Sequence, residues 1–168
     1  KALEDQVMAE IVDPVMRGMA AENAPYHGIL YVGLMLTEKG PQVIEFNCRL
    51  GDPEAQAILP RLRTDIVSAM MATTTPSLHH FDMRWDQRSA VTVVMANKGY
   101  PGNYEKGEVI RNLEVAEQTD DCYVFHAGTA RDKKGDVIAV GGRVLAVTAL
   151  GVDTASARKN AYEVVTKI

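Results

Sequence analysis

A carboxylate, an amide and a guanidinium alternate with apolar residues between positions 43 and 49. Side chains of a β-strand point to opposite faces at every second residue, so the polar members of this segment share one face. They are Glu45, Asn47 and Arg49. Along one face, neighbouring side chains are about 7 Å apart. Two hard oxygen ligands followed by a fixed cation suit Mg²⁺ bound to a polyphosphate, with an anionic substrate group beside it.

The same alternation predicts that Ile44, Phe46 and Cys48 face a core, and Cys48 is then a small hydrophobe rather than a nucleophile. The preceding segment, residues 28–36, is almost continuously apolar, which predicts a strand covered on both faces. Residues 38–41 (Glu-Lys-Gly-Pro) predict a tight turn between the two strands.

A helix start follows Arg49, with Asp52 predicted as its N-cap and Pro53 at its first position. Glu54 lies in the first turn, where the helix dipole favours a carboxylate without any catalytic role. Taken singly, Glu45, Asn47 and Arg49 also have ordinary interpretations as a strand carboxylate, a turn former and a surface ion-pair partner. As a set on one face, opening onto a capped helix, they become a candidate site.

Elsewhere the hydrophobic pattern predicts an amphipathic amino-terminal helix with a core-facing stripe, kinked near Pro14. The helix after Asp52 is interrupted at Pro60, and a further helix runs to about residue 72. Short strands and a final helix capped by Asp153 complete an α+β chain. The predicted domains are residues 1–72, a linker at 73–88, and residues 89–168. The predicted helices and strands outside the site are residues 2–21, 90–96, 123–126, 137–140, 143–150 and the final helix with Ala157, Ala161, Val164, Val165 and Ile168 on its apolar face.

Composition excludes several classes of partner. The net charge of −4 and the absence of a lysine or arginine run argue against nucleic-acid binding. No apolar run reaches the roughly 18 residues of a membrane span. The two cysteines have no metal-ligand spacing, and no signal-peptide pattern opens the chain, so we expect a soluble protein of the reducing cytoplasm.

One family shares these motifs. Residues 40–65, GPQVIEFNCRLGDPEAQAILPRLRTD, resemble the ATP-grasp signature of phosphoribosylamine–glycine ligases, also called glycinamide ribonucleotide synthetases. EFNCR followed by GDPE is the specific part, because a lone Glu-x-Asn occurs across ATP-grasp enzymes. Further segments resemble that family in the same order, and the likeness covers nearly the whole chain; they are residues 30–33, 99–102, 124–129 and 141–145.

The resemblance implies the second part of an ATP-grasp core, with an antiparallel sheet and flanking helices, followed by a small α+β carboxy-terminal domain. It implies an enzyme of de novo purine biosynthesis that joins glycine to 5-phosphoribosylamine at the expense of ATP, through glycyl phosphate. By motif position, Glu45 and Asn47 hold Mg²⁺ (or Mn²⁺) bridging the ATP phosphates. Arg49 is the catalytic residue that stabilises the acyl phosphate or the glycine carboxylate, and Asp52 and Glu54 orient the amine substrate.

Where many ATP-grasp enzymes carry another metal carboxylate, this chain has Gly33-Leu34, so metal binding rests mainly on Glu45 and Asn47. The resemblance also implies an amino-terminal part of the same enzyme, with the substrate domain, the lid over ATP and the first half of the core. We therefore expect the 168-residue chain alone to be inactive. Two alternatives stay open: another ATP-grasp carboxylate–amine ligase, and a non-catalytic binding or assembly module on the same scaffold.

Overall fold

A computed structural model describes all 168 residues, which fold as two compact units. Unit 1 comprises Lys1–Gly51 and Asp65–Asp82, and unit 2 comprises Asp52–Thr64 and Met83–Ile168. Both units combine helices with antiparallel strands, which confirms the predicted α+β class. The domain boundaries expected at residues 72 and 88 stay a prediction. Every helix is too short or too polar to cross a bilayer.

The amino-terminal helix of unit 1 is continuous but changes its winding. It consists of α1 (Ala2–Val7), a π-helical turn (Met8–Val12) and α2 (Asp13–Ala21). A proline ring clashes with the carbonyl four residues earlier, so the wider π turn just before Pro14 is where the predicted distortion is accommodated. The predicted apolar stripe is half-buried rather than a core face: no side chain of this helix is fully buried, and Met8 and Met16 are exposed. Its half-buried members are Val7, Ile11, Val12, Val15 and Met19.

Unit 1 also contains the hairpin of β1 (Tyr31–Thr37) and β2 (Gly40–Asn47), followed by α4 (Ile66–Thr73). Gly40 begins β2 with φ +93°, so the predicted turn is confirmed and its glycine is needed there. The prediction that β1 is covered on both faces is wrong: of its residues only Gly33 is buried. Met35 and Leu36 are exposed because they lie towards the turn of a sheet that has only two strands.

Unit 2 is built around a three-stranded antiparallel sheet in the order β3 (Ser89–Ala96), β7 (Arg143–Gly151), β4 (Cys122–His126). The predicted strands are confirmed, as is the final helix α6 (Thr154–Val165), whose Asp153 cap accepts a hydrogen bond from the Ser156 amide at 2.7 Å. The remaining elements are α3 (Glu54–Ile58), a 3-10 turn at Leu59–Arg61 containing Pro60, α5 (Leu113–Glu117) and the small hairpin of β5 (Thr129–Arg131) and β6 (Val137–Ala139).

The central strand β7 carries the core. Every residue of β7 after Arg143 is buried, because α6 packs on one face of the sheet and the α3 segment lies against the other. Val147 and Ala149 meet Ala161 and Val164 of α6 in one apolar cluster. A strand covered on both faces reads as a continuous apolar run, which is what residues 144–150 show, with a single exception.

That exception is Thr148, which is fully buried. Its hydroxyl donates to the Gln56 carbonyl at 3.0 Å, so the Thr92 hydroxyl, 2.7 Å away, must donate its proton to the Thr148 oxygen. Both hydroxyls are thereby satisfied, and α3 is anchored to β7 and β3.

A charged cluster at the edge of unit 2 surrounds Asp86, whose side chain is buried. Arg88 donates to both carboxylate oxygens, at 3.1 Å and 3.0 Å, and its own amide donates at 3.0 Å. Arg63 also donates to Asp86, and Arg88 reaches Asp121 at 2.7 Å. The Arg88 side chain first, then its amide and the Arg63 side chain, hold the pKa of Asp86 far below its usual range.

This arrangement predicts an acid-sensitive unit 2. The pKa of Asp86 is lower in the folded than in the unfolded chain, so its contribution to stability is complete above the unfolded value of about 3.9 and is lost as the pH falls towards the folded value. We expect the free energy of unfolding, followed by the fluorescence of Trp85, to decline between about pH 5 and pH 2. Asp86→Asn should flatten that decline, whereas Asp120→Asn, at an exposed position, should not. If the free energy of unfolding falls equally with decreasing pH in the wild type and in Asp86→Asn, this account is contradicted.

Candidate functional site

Glu45 and Asn47 are brought together by the register of the hairpin. Asn47 pairs with Tyr31, and Glu45 pairs with Gly33, so these four positions share one face of the two strands. The register shifts immediately afterwards, where Leu34 pairs with Val43, and Ile44 is left as the extra residue of a bulge. The predicted strict alternation therefore holds from Glu45 to Asn47 and breaks at Ile44.

The side chains of this pair are in direct contact. Asn47 Nδ2 donates to Glu45 Oε1 at 2.9 Å, which leaves the Asn47 amide oxygen and the second Glu45 oxygen outside that hydrogen bond. Both are hard oxygen donors of the kind Mg²⁺ prefers, and Mg²⁺ commonly takes only one or two protein ligands beside water and substrate phosphates. No group of three or more histidine, cysteine, aspartate or glutamate side chains in the chain is placed to hold a metal ion. The donor set fits a cation shared with a phosphate ligand.

Gly33 lies opposite Glu45 in the hairpin, and its role in making room for the Glu45 side chain was not predicted. A Cβ built on Gly33 would lie 3.2 Å from Glu45 Cγ and 3.4 Å from Tyr31 Cε1. The missing side chain is what lets the Glu45 side chain lie over β1. The pairing of β1 with β2 could have identified Gly33, because the residue opposite a candidate ligand on the neighbouring strand determines the space available to that ligand.

Gly33→Ala is therefore expected to displace the Glu45 side chain by a few tenths of an ångström without unfolding the hairpin. Because Glu45 and Asn47 are the candidate cation ligands, a displacement of that size should weaken Mg²⁺ binding by about 3- to 30-fold, since misplacement of a reacting group by a full ångström costs about 100-fold. The measurement is a Mg²⁺ titration followed by the amide signals of the Glu45 strand. Gly18→Ala, at a position with nothing within 4 Å of the new Cβ, is the matched control.

Arg49 lies outside the strand that was predicted to carry it. β2 ends at Asn47, and Arg49 occupies a bend in which its Nη1 donates to the Leu50 carbonyl at 2.8 Å. Its side chain is exposed and lines an open groove of unit 1. The other residues of that groove are Gly28, Ile29, Cys48, Leu50, Met70 and Thr73.

The predicted core-facing residues of β2 do not face a core. Ile44 is 63% exposed, Phe46 is 43% exposed, and Cys48 is exposed as well. The prediction of Cys48 as a buried small hydrophobe is therefore wrong here. Alternation correctly separates the two faces of a strand, but it carries no information about whether a layer covers the apolar one.

Asp52 does not cap α3, contrary to the prediction. The residue preceding the helix is Pro53, and no side-chain cap is made. The physical reason is competition: Gln56 Nε2 donates to Asp52 Oδ1 at 2.9 Å, and Arg143 Nη2 contacts Oδ2 at 3.0 Å. Glu54 is the first residue of α3, as expected, and is exposed. All of these Asp52 contacts lie within unit 2.

Comparison with known proteins matches two family models along the chain. Residues 1–55 match the model of the phosphoribosylglycinamide synthetase ATP-grasp (A) domain, and residues 90–168 match that of the phosphoribosylglycinamide synthetase C domain. The chain is 47% identical over 171 aligned residues to a chloroplastic phosphoribosylamine–glycine ligase of Arabidopsis thaliana, covering 100% of this chain and 32% of the relative. It is 48% identical to the phosphoribosylamine–glycine ligase of Mesorhizobium japonicum, covering 98% of this chain and 38% of the relative.

A solved structure of a protein with the same name has a similar fold. The crystal structure of phosphoribosylamine–glycine ligase from Thermotoga maritima superimposes with a TM-score of 0.79 at 32% identity, covering 99% of this chain and 40% of that one. The chain thus spans about a third to two-fifths of the length of these relatives. With both family models matched in order and the fold shared from end to end, the chain belongs to the phosphoribosylglycinamide synthetase family.

Proposed function

We propose that these residues form the carboxy-terminal part of a phosphoribosylamine–glycine ligase, which joins glycine to 5-phosphoribosylamine with ATP in de novo purine biosynthesis. Relatives of that name align with nearly the whole chain. The observation that carries the proposal at the level of chemistry is the hydrogen-bonded pair of Glu45 and Asn47 on one strand face.

The reaction has two steps. A carboxylate oxygen of glycine attacks the γ-phosphorus of ATP, giving glycyl phosphate and ADP. The amine of 5-phosphoribosylamine then attacks the acyl carbon, the amide bond forms, and inorganic phosphate and a proton leave. Phosphoryl transfer of this kind depends mainly on positioning and on electrostatic stabilisation, which a protein provides through fixed ligands and cations.

In this scheme Glu45 and Asn47 would hold Mg²⁺, or Mn²⁺, beside the ATP phosphates. Such a cation would supply neutralisation of the charge that develops during phosphoryl transfer. The Asn47 amide nitrogen donates to one Glu45 oxygen and so orients the other. Hydrogen bonds of this kind commonly orient metal ligands.

Arg49 then acts on the anionic substrate. A guanidinium donates two parallel hydrogen bonds to a carboxylate or a phosphate, which suits either the glycine carboxylate or the acyl phosphate. Its contact with the Leu50 carbonyl uses Nη1, so the other donors of the guanidinium remain for substrate.

Asp52 and Glu54 are assigned to the amine substrate. A carboxylate accepts hydrogen bonds from an amine, whereas beside a phosphate it would repel. Both residues follow Arg49 within the same motif. For the domains, we propose residues 1–72 as the end of the ATP-grasp core, 73–88 as a linker and 89–168 as the carboxy-terminal domain; the matches to residues 1–55 and 90–168 support this division.

The decisive experiment is a substrate-swap assay of the intact enzyme. Sustained turnover, with release of ADP and phosphate, should require glycine, ATP and 5-phosphoribosylamine together. If another carboxylic acid replaces glycine with equal or better kcat/KM, the protein is a different ATP-grasp ligase. If no acid supports turnover, and the amide signals of the Glu45 strand do not respond to Mg²⁺ and nucleotide, the chain is a non-catalytic module on this scaffold.

The 168-residue chain by itself is expected to give no product above background in the same assay, because it aligns with only 32% and 38% of these relatives. Purified chain should be compared with the intact enzyme at equal molar concentration, with folding checked by circular dichroism. Glycine- and ATP-dependent product from the purified chain would refute this prediction.

A further inference from the structure

Asp52 is held from two sides by side chains of its own unit. Arg143 Nη2 donates to Asp52 Oδ2 at 3.0 Å, and Arg143 Nη1 donates to the Asp52 backbone carbonyl at 3.0 Å. Gln56 Nε2 donates to the other carboxylate oxygen at 2.9 Å. One arginine thus fixes both the main chain and the side chain of this residue, which is separated from it by 91 positions in the sequence.

The backbone that carries Arg143 is itself tightly constrained. Asn97 donates from its amide to the Gly142 carbonyl at 2.8 Å and from its side chain to the Gly141 carbonyl at 2.7 Å. A Cβ on Gly142 would collide with the ring of Tyr100, and one on Gly141 would lie 2.8 Å from the Gly128 Cα. These contacts hold the backbone that immediately precedes Arg143.

Stability does not explain this arrangement. The Asp52 side chain is 50% exposed and that of Arg143 is 41% exposed. Ion pairs at this degree of exposure contribute little to the folding equilibrium. The two hydrogen bonds from Arg143, at the start of β7, therefore serve to place Asp52 rather than to stabilise the fold of unit 2.

We propose that Arg143 is a positioning residue that aims Asp52 at the amine substrate of the ligase, an inference that rests on the function proposed above. A carboxylate offers about four lone-pair sites. Arg143 and Gln56 each take one of them, on different oxygens, and leave one direction on each oxygen for an N–H of the amine. Arg143 thereby influences the amine-transfer step without touching the substrate.

The test compares Arg143→Ala with Arg131→Ala in the intact enzyme. Arg131 is also an exposed arginine of unit 2 that donates to a backbone carbonyl, that of Gly135, so it controls for loss of a surface cation. Arg143→Ala should lower kcat/KM for 5-phosphoribosylamine about 10- to 100-fold, the range found when a group that orients a functional ligand is removed. Glycine-dependent isotope exchange within ATP, which needs no amine, should change less than about 3-fold.

Two further variants complete the design. Asp52→Asn combined with Arg143→Ala should be no worse than Asp52→Asn alone, because residues that act through one group are not additive. Arg143→Lys keeps the charge but loses the two-pronged geometry, so it should show an intermediate loss, and it carries the test if the alanine variant fails to fold. Arg143 variants that behave like Arg131→Ala, or losses that multiply in the double variant, would overturn the proposal. A wild-type enzyme without ligase activity would instead count against the proposed function.

Discussion

Glu45→Gln in the intact enzyme is expected to lower kcat by about 10²- to 10³-fold, the loss typical of removing one preorganised group that stabilises transition-state charge. The substitution keeps the shape of the side chain and exchanges one carboxylate oxygen for an amide nitrogen. The Asn47 amide nitrogen then faces either an amide oxygen or another donor, and the proposed cation would lose its one anionic ligand on this strand face. The measurement is steady-state kinetics across a range of Mg²⁺ concentrations.

The matched control is Glu38→Gln, which makes the same chemical change in the exposed turn between β1 and β2. It should leave kcat within about 2-fold of wild type, as expected for a surface substitution away from the site. Raising Mg²⁺ should recover part of the Glu45→Gln activity, because a weakened ligand set lowers affinity for the cation. A Glu45→Gln enzyme that matches Glu38→Gln at every Mg²⁺ concentration would remove the metal-ligand role from this residue.

Sequence patterns correctly predicted the helices, strands and turns whose conformation depends on residues close in sequence. The final helix was placed by its Asp153 cap and by Ala157 and Ala161, and the structure has both features. The turn before Gly40 and the pairing of Glu45 with Asn47 on one face were likewise readable, since they follow from glycine conformation and strand alternation.

Predictions failed where a residue's surroundings come from distant parts of the chain. Asp52 followed the rule for an N-cap, yet Arg143 engages its carboxylate, and nothing in the local sequence announces that partner. Phe46 and Cys48 alternate correctly but are exposed, because a hydrophobic pattern does not say which layer covers it. The short helix α5 was missed, and so was the short strand β5, whose sequence Thr-Ala-Arg lacks the apolar run that marked β6.

The core of unit 2 allows an equally direct test of what holds the fold together. Val147 is completely buried at the centre of β7, and by register it lies between Val93 of β3 and Val124 of β4. Ala161 and Val164 of α6 belong to the same buried cluster as Val147. Val147→Ala deletes two methyl groups from the middle of this row, where the flanking strands and the helix prevent collapse.

Val147→Ala should therefore lower the free energy of unfolding of unit 2 by about 2–3 kcal/mol, the sum of roughly 0.8 kcal/mol for each lost methyl group and about 0.5–1.5 kcal/mol for the cavity. The measurement is urea unfolding followed by Trp85, the single tryptophan of the chain, which lies in unit 2. The midpoint should fall while the slope of the transition stays the same, because the surface exposed on unfolding is unchanged. Val152→Ala makes the same change one residue beyond β7, where the side chain is 83% exposed, and should shift stability by less than about 0.5 kcal/mol. If both variants shift the midpoint equally, burial of β7 between the two helical layers is not what stabilises this unit.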